Sequence, residues 1–183
     1  AVTGATTISA SGQDITLDES ASTFGSLLLT GANVAVTDAG AVDLGASTVG
    51  GTLGITSAGA VTDSGTLAIT GATTISASGQ DITLDESAST FGTLALTGEN
   101  VAVTDAGAVD LGASTVSGTL GITSAGAVTD SGTLAITGAT TISASGQDIT
   151  LDQASSTFGT LALTGANVAV TENAATDLGA STV

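Results

Sequence analysis

The chain has 183 residues, 42% of them hydrophobic, with 17 acidic side chains and no Lys, Arg or His, for a formal charge of −17. Such a uniformly negative chain excludes nucleic acid and anionic membranes as partners, and the lack of Cys excludes disulfides and thiolate chemistry. The aliphatic content is too high for a disordered acidic chain, so a packed core is expected.

Gly4 opens a 67-residue unit that begins again at Gly71 and at Gly138 without insertion or deletion, giving copies 4–70, 71–137 and a partial 138–183. Residues 1–3 read as the end of a preceding copy. The expectation is one continuous body over 1–183, internal to a longer chain whose targeting signals lie elsewhere. No run approaches the ~18 apolar residues of a membrane helix, so no membrane insertion is expected.

Taken in order, short runs alternate with period two, which marks half-buried strands. In "TLAIT", Leu67 and Ile69 face in while Thr66, Ala68 and Thr70 face out. Ile82 and Leu84 do the same in "DITLD", with Asp81, Thr83 and Asp85 outside. Val101 and Val103, then Val109 and Leu111, continue the pattern. Each unit should hold about eight or nine strands of four to six residues. No segment has helical apolar spacing, and Thr, Val, Gly and Ser predominate. The phrase "GTLAIT" at Gly65 returns as "GTLALT" at Gly92, "GTLGIT" at Gly118 and "GTLAIT" at Gly132, so the internal spacing is uneven and the coils cannot all be of one length.

Differences between copies fall where the alternation places the outside. Leu28 becomes Ala95 and Ala162, and Ala32 becomes Glu99 and then Ala166, whereas inward Leu27, Leu29 and Val34 recur as Leu94, Leu96 and Val101. Val42 and Val109 become Thr176 within the altered stretch "TENAATDLG", which reads as a local loosening. The fold these features specify is all-β: a right-handed parallel β-solenoid, or β-helix, with a 67-residue repeat of about three coils of ~22 residues. A transmembrane β-barrel needs aromatic girdles, and three Phe with no Tyr or Trp do not supply them.

Phrases such as "AGAVTDSGTLAITGATTISASGQDITLD", "STFGTLALTG" and "DLGASTVSGTLGIT" resemble the repeats of filamentous-haemagglutinin-like adhesins, the two-partner-secreted surface proteins of Gram-negative bacteria. The resemblance covers the whole chain. It implies export across the outer membrane and an extracellular or cell-surface fibre serving attachment, biofilm or sheath formation. Its partners would be other copies of itself, end to end or side by side, and host or matrix glycans.

Catalysis has little to work with, because His, Cys, Lys and Tyr are absent and no base is available to activate a hydroxyl; no enzyme activity is expected. Parallel β-helices do host polysaccharide-cleaving enzymes, which makes a carbohydrate-active enzyme the alternative of that class. Asp81 and Asp85 would be ~13 Å apart on an extended strand, beyond the ~5 to 9.5 Å of glycosidase pairs. For a metal, Asp14, Asp18, Asp81, Asp85, Asp148 and Asp152 are the candidate ligands, with Ca2+ the natural cation for oxygen-only sites. That alternative is a calcium-dependent surface-layer or matrix module. No window matches a known calcium loop, and all the acids are assigned to the outer surface, about six to each ~14 Å of fibre. Phe24, Phe91 and Phe158 are expected to plug a wide part of the coil, and Asn33, Asn100 and Asn167 to form turns by tolerating left-handed geometry.

Overall fold

A computed structural model describes all residues, 1–183, and contains strands and turns but no helix. The first copy supplies β1 (Thr6–Ser9), β2 (Ile15–Leu17), β3 (Ser26–Gly31), β4 (Val34–Asp38), β5 (Val42–Leu44), β6 (Ser47–Val49), β7 (Leu53–Ser57), β8 (Val61–Asp63) and β9 (Leu67–Ile69). The second repeats them as β10 (Thr73–Ser76), β11 (Ile82–Leu84), β12 (Thr93–Gly98), β13 (Val101–Asp105), β14 (Val109–Leu111), β15 (Ser114–Val116), β16 (Leu120–Ser124), β17 (Val128–Asp130) and β18 (Leu134–Ile136). β19 (Ala139–Ser143), β20 (Ile149–Leu151), β21 (Thr160–Thr164) and β22 (Val168–Val170) complete the set.

The chain passes back and forth between two sheets of 11 strands each, the first containing β1 and β3 and the second β2 and β4. Each strand pairs in parallel with strands one coil away, as in Val34↔Leu53 and Val101↔Leu120. About nine coils of about 19 residues result, a parallel β-solenoid.

The register shows how the repeat sits on the coil. From β3 the chain crosses to β4, returns to β5 and β6, and proceeds through β7, through β8 and β9, then β10 and β11, before reaching β12, the second copy of β3. Those seven crossings are three and a half coils. β3 accordingly lies in the first sheet, its copy β12 in the second, and the next copy β21 in the first again. The coils are shorter than the expected ~22 residues, so 67 residues take in three coils and half of a fourth. Every feature of the repeat thus appears on opposite sides of the stack in turn.

Coil length varies because the strands bulge. Leu27 pairs with Leu44 and Thr30 with Thr48, so the stretch containing Gly45 and Ala46 has one residue more than its partner. That insertion leaves the N–H of Leu29 without a ladder carbonyl, and the Ser47 hydroxyl accepts it at 2.9 Å while donating to the Gly45 carbonyl at 2.8 Å. Ser114 repeats the arrangement for Leu96 at 3.0 Å. Ser89 likewise accepts from Leu67, and Ser156 from Leu134.

Inside, 37 buried hydrophobic residues form one continuous cluster. Leu67, Ile69, Ile82, Leu84, Val101, Val103, Val109 and Leu111 all belong to it, as the alternation requires. Phe91 and Phe158 are buried as expected, while Phe24 is partly covered. Beyond Val170 the chain keeps the pairings of the regular coil, with Leu178 against Leu161 and Thr182 against Thr164.

Candidate functional site

Three polar constellations recur with the repeat. The first is a row of corner carboxylates. In "VAVTD" the alternation that buries Val34 and Val36 also turns Asp38 inward, and Asp105 follows Val101 and Val103 in the same way; both aspartates are only 2% exposed. Such burial is tolerable because each carboxylate accepts two backbone N–H groups at the turn. Asp38 takes those of Phe24 at 2.9 Å and Gly40 at 2.7 Å; Asp105 takes those of Phe91 at 3.0 Å and Gly107 at 2.6 Å. Asp63 and Asp130, also buried, accept from Asp85 at 2.9 Å and Asp152 at 2.8 Å. The assignment of every acid to the outer surface is therefore corrected. Four of them hold corners together, because a turn leaves backbone donors that a short inward carboxylate can reach.

Burial pushes the Asp63, Asp105 and Asp130 carboxyls above the ordinary carboxylate range, and the backbone N–H groups they accept pull partly back. At Asp63 and Asp130 the acids of the adjacent turn add to the upward push.

The second constellation contains half of the candidate metal ligands. Asp14, Asp81 and Asp148 are exposed, and each faces an Asn on the next coil. Asn33 donates both its backbone N–H and its side-chain amide to Asp14 Oδ1, at 3.1 and 2.9 Å, and its own Oδ1 accepts from Thr52. Asp81, Asn100 and Thr119 form the same ladder. A Cβ on Gly51 or Gly118 would collide with the Asn side chain, which is why glycine stands at those places. The Asn residues thus bridge coils and do not adopt left-handed turns, a second correction: only Gly12, Gly79 and Gly146 have positive φ, at 71 to 76°. Asp18, Asp85 and Asp152 are exposed at the turns after β2, β11 and β20. Nowhere do three or more acids converge on one point.

The third lies on the flat faces. Thr37, Thr56, Ser76, Thr97 and Thr115 point outward from the second sheet and pair coil to coil in an unbroken rank. Thr104, Thr123, Ser143, Thr164 and Thr182 make the matching rank on the first sheet. The order, hidden by the uneven sequence spacing, is created by the register.

The one pocket, about 440 Å3, lies at the last coil between residues that include Leu163, Val168, Val170 and Leu178, with no carboxylate in its lining. Sequence reasoning missed the inward Ser and Asp residues, although the alternation passes straight through them. It also missed Thr73 and Thr140, whose hydroxyls are buried with no hydrogen-bond partner.

No curated protein and no solved structure matches the chain with significant similarity. A family described as "Repeats of unknown function (DUF5649)" matches residues 1–30, 31–97 and 98–164, the last two matches each spanning the 67 residues of the repeat. With most of its length matched and its copies wound into one parallel β-helix, the chain belongs to this repeat family.

Proposed function

We propose that the chain is a structural segment of an extracellular fibre, an adhesin-like β-solenoid of a bacterial surface or secreted filament that works in attachment, biofilm or sheath formation. The observation that supports this most directly is the half coil. Each 67-residue copy stops midway round a turn that the next copy completes, so successive copies share strands, corners and core and cannot part into separate domains. Adding copies then lengthens one body. The likeness of its repeats to filamentous-haemagglutinin-like adhesins supports the surface location, with host or matrix glycans as the outer partner. A chain without Lys or Arg also offers trypsin-like proteases no cleavage site, an advantage for an exposed fibre.

The test is length against copy number. At ~4.8 Å per coil, three and a half coils add ~17 Å to the rod for every 67 residues. Small-angle scattering and electron microscopy of chains carrying two, four and six copies should show a rigid rod growing by that increment. Antibody against the exposed turn that contains Asp85 should label intact source cells. Hinged beads, or a length that does not follow copy number, would overturn the fibre reading; label confined to lysed cells would overturn the location.

A further inference from the structure

We infer that the flat faces of the solenoid are lateral interfaces for a second copy of this chain, packed side by side; this rests on the fibre reading above and supplies its assembly contact. The argument begins with where charge is absent. Almost all of the 17 acids lie at turns and corners, with only Asp43, Asp110 and Asp177 placed outward along strand-like stretches. Between them, the second sheet presents the hydroxyl rank centred on Thr56 beside a column formed by Ala35, Gly54, Thr74 and Ala95. The first sheet presents the rank centred on Thr123 beside Ala102, Gly121, Thr141 and Ala162. Each is an uncharged field four coils tall, and in the fifth coil Asp110 or Asp177 stands beside the rank.

Two chains of charge −17 and no base repel one another wherever edge meets edge, so the neutral fields are where close approach is least opposed. Their side chains are small and evenly ranked, the condition under which flat sheets stack closely, as in silk and steric zippers. Because the repeat is an odd number of half coils, the same field appears on both sheets, displaced along the axis. A copy can therefore be joined on both sides, which builds layers of rods.

The area sets the strength. Four coils of ~4.8 Å by a strand of about five residues give ~320 Å² per partner, under half of the ~800 Å² typical of a stable interface. One field is too small to hold two 183-residue chains together firmly. Longer chains carry one field per two copies on each face, and their engagement is cumulative.

The experiment compares the 183-residue chain with tandem chains of four and six copies by sedimentation and electron microscopy, at low and high salt. Side-by-side pairing should strengthen by ~100-fold or more between the shortest and longest chains, and should increase with salt as repulsion is screened. Thr56→Glu with Thr123→Glu, repeated in every copy, should abolish it without altering the melting temperature. Thr74→Glu with Thr141→Glu should do the same should the first pair impair folding. Rods that lengthen with copy number yet stay single at every salt concentration would overturn the interface while leaving the fibre standing, whereas chains that never form lengthening rods would remove both. Pairing that survives the Glu variants would also overturn it. So would single rods that bind insoluble polysaccharide through the same threonines, which would assign the faces to a glycan.

Discussion

Asp105 and Glu172 occupy the same corner of successive copies, and only one of them holds it. Asp105 accepts the backbone N–H groups of Phe91, on the preceding coil, and Gly107, on its own turn. Glu172 is one methylene longer and is followed by Asn173 and Ala174 where the regular corner has Ala106 and Gly107. Both its carboxylate oxygens are buried without a partner. The preceding coil is present at both corners, and Asn173 donates to Ser156 at 2.8 Å as Ala106 does to Ser89. Past both corners the chain pairs with the preceding coil at the same positions, Leu94↔Leu111 and Thr97↔Thr115 in one copy and Leu161↔Leu178 and Thr164↔Thr182 in the next. A solenoid of this kind is held by inward aliphatic residues along its strands and by side-chain acceptors of one particular length at its corners.

The core side of that division gives the largest effect. Leu94→Asp or Ile122→Asp places an unpaired charge in a fully enclosed site and removes a large aliphatic contact, which should cost about 4 kcal/mol or more and unfold the chain from that coil outward. Ala95→Asp, one residue away and facing out, should stay within about 0.5 kcal/mol. Equal losses at Leu94 and Ala95 in thermal melts would show that the two faces are not distinct.

Corners should respond less strongly and unequally. Asp105→Ala leaves the N–H groups of Phe91 and Gly107 without their acceptor, at about 1 to 3 kcal/mol for each that water cannot reach. Glu172→Ala removes a carboxylate that accepts nothing and should be neutral or slightly stabilising. Denaturant unfolding of the two variants measures the difference directly, and similar losses in both would mean that the length of the corner side chain is immaterial.

The corners also mark the boundary of what could be read from sequence. Strand positions such as Ile82 and Leu84 were legible because alternation of apolar and polar types is itself the burial pattern. Asp38 and Ser47 obey the same alternation, two residues from Val36 and Val49, but polarity argues for the outside, and what outweighs it is a set of backbone donors orphaned by turns and bulges that no composition reveals. The half coil was hidden for another reason. Copies align equally well whether they stack on one sheet or alternate between two, and the choice depends on one-residue bulges such as that at Gly45 and Ala46. The candidate metal ligands are exposed, and the Asn partners of Asp14 and Asp81 come into view only with the 19-residue offset of the ladder.

The smallest effect is that of pH, because opposing influences meet on the buried carboxyls of Asp63, Asp105 and Asp130. Burial raises the Asp105 carboxyl, while the N–H groups of Gly107 and Phe91 lower it, and the net displacement is upward. A carboxyl that is harder to ionise in the folded chain than in the unfolded one binds more protons when folded, so its contribution to stability is complete below the unfolded value and is lost as pH rises through the folded one. Asp63 and Asp130 are displaced in the same direction, again chiefly by burial. Stability should therefore increase as the pH is lowered from neutrality to about 4, opposite to the usual acid denaturation of proteins whose carboxylates are held by cations. General relief of the negative charge acts in the same sense, and Asp105→Asn separates the two. The variant retains that relief but has no proton to bind at the corner, so the melting temperature of the natural chain should rise relative to that of Asp105→Asn as the solution is acidified. A gap that moves the other way would show that the backbone donors outweigh burial at this corner and that it works best with its carboxylate ionised.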